Sequence, residues 1–149
     1  MTESALQIIR NEHSALAAVL RSLGMLVTQG PGGEPERFFD VVRAMLFYID
    51  EFPERYHHPK ESELLFPKLA RAAPALAEVI RKLEADHCDG ERRVRELQHY
   101  LLAWELLGDS RRGAFVDAAE EYERLFKRIV METPAPIGVG AELQGRVAV

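Results

Sequence analysis

A single cysteine, Cys88, among 149 residues excludes an internal disulfide and suits a reducing compartment, with the cytoplasm as the expected location. No run approaches the roughly 20 uninterrupted apolar residues of a membrane helix, because Arg, Asp or Gly breaks every candidate. No membrane partner is expected. The opening Met1-Thr2-Glu3-Ser4, with Arg10 soon after, lacks the basic-then-apolar layout of a secretory leader. Positive charge is also short: 19 Lys and Arg stand against 24 Asp and Glu, a net charge of −5. Without a basic face, nucleic acid is not expected as a partner. Strand-length alternation, internal repeats, a phosphate-cradling glycine loop and a Ser-His-Asp order are missing as well.

Helical periodicity fills that space. Leu6, Ile9, Leu16, Leu20, Leu23 and Val27 recur at spacings of three and four, with Ser4 as a candidate N-cap and Gly30-Pro31-Gly32-Gly33 as the stop. A second helix begins near Pro35, which suits a first turn, and carries the stripe Phe38, Val42, Met45, Ile49 and Phe52. Pro53 and Pro59 interrupt a pattern that still reads helical to Leu69, so this helix is kinked or falls into two collinear pieces. The third spans about Pro74 to Leu107, with Ile80, Leu83, Val94, Leu97, Leu101 and Trp104 inward. The fourth spans about Arg112 to Val130, with Phe115, Ala118, Tyr122, Leu125 and Ile129 inward. Tyr48, Phe52, Tyr56 and Trp104 read as core aromatics. Residues 132–149 are rich in Pro and Gly and read as an irregular tail after a domain of residues 1–131. The expected fold is all-α, an up-and-down antiparallel four-helix bundle.

Two polar residues fall on the apolar stripes: His13 fills the gap in the first helix and His87 the gap in the third. On the second helix His57 and Glu61 stand at i and i+4, as His87 and Glu91 do on the third. Four residues turn a helix roughly 40° beyond one revolution, so each such pair projects toward one point. Imidazoles and carboxylates converging from several bundle helices suit a carboxylate-bridged pair of metal ions. The imidazoles are neutral donors for iron, zinc or copper, and the carboxylates neutralise the cations. Each residue has a plainer reading too, as a hydrogen-bonded core histidine or a surface helix pair. Cys88, beside His87, reads as a quiet, partly buried thiol.

Specific blocks carry a family likeness. Arg10-Asn11-Glu12-His13, the stretch Tyr48-Ile49-Asp50-Glu51-Phe52-Pro53-Glu54-Arg55-Tyr56-His57-His58-Pro59-Lys60-Glu61 with Leu65-Phe66, and Leu83-Glu84-Ala85-Asp86-His87 with Gly90-Glu91 resemble a bacterial hemerythrin-like (HHE cation-binding) domain. The likeness covers about residues 5 to 128. It implies a non-haem di-iron site inside the bundle, with metal ligands His13, His57, Glu61 and His87, and with Glu91 where members carry a second His or a carboxylate. On a regular helix His58 points about 100° away from His57 and reads as a surface group or one that supports the ligands. The implied role is binding or sensing of oxygen, nitric oxide or iron rather than turnover, and a homodimer is a further expectation.

The fourth helix departs from the pattern. Tyr122-Glu123-Arg124-Leu125-Phe126-Lys127-Arg128 fits the family's aromatic lead-in, but Ile129 stands where the resemblance calls for His. Thr133 and Pro134 occupy the acidic positions, and no His follows His99. His99 lies twelve residues past His87, about 18 Å along the helix, too far to substitute. Two readings account for the departure: divergence with loss of part of the site, or a shift of coding frame near Arg128. The competing function is a metal-poor helical interaction module.

Overall fold

The structure, a computed structural model, describes residues 5–52 and 59–132. Ser4, Pro53, Tyr56, His57, His58 and the tail from Thr133 lie outside the described residues. Helix α1 runs Ala5–Gln29, α2 Pro35–Ile49, α3 Phe66–Ala72, α4 Ala77–Leu107 and α5 Arg112–Glu132. Among the described residues there is no strand, and no helix is long and apolar enough to cross a membrane.

Chain chemistry sets the ends. α1 stops at Gly30, whose φ of 74° is cheap only for glycine. A Cβ there would also meet the Arg112 guanidinium at 2.8 Å. That guanidinium donates to the Val27 carbonyl at 3.2 Å and lies over the Trp104 ring, tying the end of α1 to the start of α5. α4 ends at Gly108, φ 94°, and the Trp104 indole N–H donates to Asp109 just beyond it at 3.0 Å.

The expected second helix is divided. α2 gives way to a π-type turn at residues 50–52, and a π-helix spans Lys60–Leu65 before α3. The Phe66 amide donates to the Glu61 carbonyl, five residues back. Pro67, which follows, has no amide to continue an α-helical ladder, so the looser pitch is accommodated before it. The third helix differs at its start: Pro74–Leu76 forms a 3₁₀ turn and the α-helix begins at Ala77.

α1 packs on α2 and α5, and α4 packs on α2, α3 and α5. Two apolar clusters result. One gathers Leu16, Leu20, Leu23, Val27, Phe38, Phe39, Val42, Leu46, Val94, Leu97, Leu101, Trp104 and Phe115 among others. The second comprises Ile9, Leu65, Phe66, Ile80, Leu83, Leu125 and Ile129. The inward stripes of α1 and α4 stand as expected, apart from Leu6, whose side chain lies outside the described residues. On α2 the register shifts: Phe39 and Leu46 are buried, while Met45 and Phe52 are half-buried. A stripe wider than one residue per turn faces two neighbours, and Trp104 draws in both Phe38 and Phe39 at 5.3 and 5.2 Å.

Candidate metal centre

His13 sits on α1 between Ile9 of one cluster and Leu16 of the other, and His87 on α4 between Leu83 and Val94. The two clusters therefore part at one polar layer. Glu61, from the π-helix, enters that layer and is 0% exposed.

A carboxylate removed from water is costly unless charge or dipoles face it. Two imidazoles do. His13 Nε2 lies 3.3 Å from Glu61 Oε1, and His87 Nε2 lies 3.0 Å from Glu61 Oε2. Each contact is a close approach of a carboxylate oxygen to a ring nitrogen. Aromatic rings close the layer: Phe66 stacks on His87 at 5.9 Å, and Phe126 meets His13 edge-on at 6.5 Å. At the rim the Lys60 ammonium donates to Glu12 at 2.6 Å, and Arg128 of α5 donates to Asp86, next to His87, at 3.0 Å.

The donor spacing fits a metal ion. Two ligands held about 2.0–2.2 Å from one first-row cation, at tetrahedral or octahedral angles, stand roughly 3.0–3.5 Å apart. Both nitrogen–oxygen distances fall in that range. Each imidazole, however, faces a different oxygen of Glu61. One carboxylate is thus shared between two imidazoles, and among the described residues no three His, Cys, Asp or Glu side chains close around a single point.

Three of the five residues singled out from sequence, His13, Glu61 and His87, thus meet in one layer. His57 lies outside the described residues. Glu91 is half-buried one turn beyond His87. Ile129 is 5% exposed within the cluster of Ile9, Leu65 and Phe66, so α5 presents alkyl and aromatic groups to this region. His99 is exposed beside Tyr100. Cys88 corrects the expectation of partial burial: it is exposed, because one residue past His87 the helix has turned about 100° from its buried stripe. Sequence reasoning named Phe126 only within the aromatic lead-in and not against His13, and it missed the Glu12–Lys60 pair; Glu12 and Lys60 adjoin His13 and Glu61 in sequence, and that adjacency was the available signal.

Comparison with known proteins gives one match: the hemerythrin HHE cation-binding domain, over residues 4–132. No curated protein and no solved structure matches the chain.

Proposed function

The chain belongs to the hemerythrin HHE cation-binding family, and we propose that it binds non-haem iron in order to bind or sense a diatomic ligand such as oxygen or nitric oxide. The observation that carries this reading is Glu61, fully buried between His13 and His87. His13 and His87 supply neutral nitrogen donors from two helices, and Glu61 supplies the negative charge that a cation entering an apolar layer requires. Glu91 and His57 complete the proposed ligand set. Iron held there supplies an open coordination position and an electron to share with a diatomic molecule. Phe66 and Phe126 exclude water from the layer. Each imidazole gives up an Nε2 proton, where it carries one, on becoming a ligand.

The fold that holds this site is proposed to be the up-and-down antiparallel four-helix bundle, with the π-helix and α3 completing its second arm, over residues 1–131, followed by a tail over 132–149. The packing of α1 on α2 and α5, and of α4 on α2 and α5, supports it. A second reading, a metal-poor interaction module in the same fold, draws on Ile129, which brings an alkyl group where a donor would stand. Iron content per chain and the visible absorption spectrum of anaerobically purified protein separate the two. Bound iron with a ligand-to-metal absorption band supports the first. Protein that stays colourless and iron-free after reconstitution with ferrous iron overturns it.

A further inference from the structure

Two polar contacts cross the seam between α1 and the π-helix, made by consecutive residues on each side. His13 meets Glu61 inside, and Glu12 meets Lys60 at the rim, 2.6 Å from Nζ to Oε1. The rim pair is unequal in exposure. The Glu12 side chain is 11% exposed and that of Lys60 44%, so Lys60 covers a nearly buried carboxylate with a flexible, partly hydrated ammonium. Backbone packing between α1 and the π-helix is sparse among the described residues, where the close neighbour of the π-helix is its own continuation, α3. Side chains, rather than a broad interdigitated face, therefore set where the π-helix stands relative to α1.

The π-helix itself makes this placement consequential. Its looser pitch departs from the regular α-ladder, and such turns occur frequently where a side chain must be held for function. Glu61 is the second residue of that segment, one position after Lys60. A shift of the segment along α1 moves the Glu61 carboxylate relative to both imidazoles at once.

We infer that the Glu12–Lys60 pair is a latch that positions Glu61 between His13 and His87, and that Lys60 is accordingly a positioning residue for cation retention; this rests on the iron-binding reading above. The latch closes over the α1 side of the polar layer and holds the carboxylate in place when a cation occupies it. Opening it would free the π-helix to withdraw Glu61, so that a cation held there would lose one of its ligands and be retained less well.

The test uses the full chain. Wild type, Lys60→Ala, Lys60→Arg, and the double swap Glu12→Lys with Lys60→Glu are loaded with ferrous iron anaerobically, and its loss to a chromogenic chelator is timed. Lys60→Ala is expected to lose iron about tenfold faster, the scale on which groups that orient a ligand act. Lys60→Arg and the double swap are expected to return toward the wild-type rate. Equal rates in wild type and Lys60→Ala, or a double swap as fast as the single variant, overturn the latch. A second readout needs no metal: the His13 imidazole nitrogen resonances of the iron-free protein should move in Lys60→Ala and stay in place in Lys60→Arg. Wild type that takes up no iron defeats the iron-binding reading, and the latch is then judged on these resonances, whose constancy in Lys60→Ala overturns it.

Discussion

A carboxylate with no solvent contact, such as Glu61, lowers the stability of a fold unless its partners offset the lost hydration. The physical signature of such a residue is a conflict between stability and use. The triple variant Glu61→Leu with His13→Leu and His87→Leu keeps a similar volume and removes the whole polar group. It is expected to abolish iron uptake while leaving the urea midpoint unchanged or raising it, since an apolar replacement for a complete buried polar cluster is often neutral or stabilising by about 1–4 kcal/mol. A large loss of stability in urea titration would count against this account. Ile129 poses the opposite case, a residue at home in its apolar cluster. Ile129→His is expected to destabilise the iron-free protein by roughly 1–3 kcal/mol, the cost of burying a polar group without a partner. The same variant should raise the iron bound per chain, measured by metal analysis beside wild type.

Among the elements, α4 organises the others, because its long inward stripe reaches both clusters. Trp104, 1% exposed, touches the rings of Phe38, Phe39 and Phe115 and lies under Arg112. Trp104→Ala should therefore cost about 3–5 kcal/mol in urea denaturation and loosen the junction of α1, α4 and α5. The outer faces of α4 and α5 meet through charge. Arg93 donates to Asp89 at 2.8 Å and to Glu121 of α5 at 2.9 Å. Its guanidinium, followed by that of Arg92, holds the Asp89 carboxyl below the usual carboxylate range. A lowered folded-state pKa gives stability that is present above the unfolded value, about 3.9, and is lost as pH falls through the folded one. At neutral pH Asp89→Asn should cost less than about 1 kcal/mol, as partly exposed pairs do. The gap between variant and wild type should close in acid, below about pH 4, in denaturation curves taken across pH.

For the whole molecule, the proposed iron binding would be linked to folding, because the layer at Glu61 is assembled from α1, the π-helix and α4 and has no counterpart in the unfolded chain. A ligand at a hundred times its dissociation constant stabilises by about 2.7 kcal/mol. Ferrous iron should raise the melting temperature by several degrees, on the order of 10 °C, and a chelator should reverse the rise in calorimetry. The wild-type stoichiometry is expected to stay below two ions per chain, since among the described residues Leu125, Phe126 and Ile129, which α5 turns toward this region, carry no donor atoms.

Local pattern alone determined the helical class, the inward stripes of α1 and α4, the inward side of α1 on which half-buried His13 stands, and the burial of His87, because a period near 3.6 is written in adjacent turns. The pair of residues His13 and His87 could be named before any fold was known, as could Glu61. Tertiary structure alone decided what those residues meet. Separate oxygens of Glu61 face separate imidazoles, a result of how the π-helix is set against α1 and α4, and no single helix encodes that placement. The depth of Phe39 and Leu46, and the turn of Phe126 toward His13, likewise depend on which neighbour each face adopts. Hydrophobic periodicity tells a residue which way to point; only the assembled helices fix what stands opposite it.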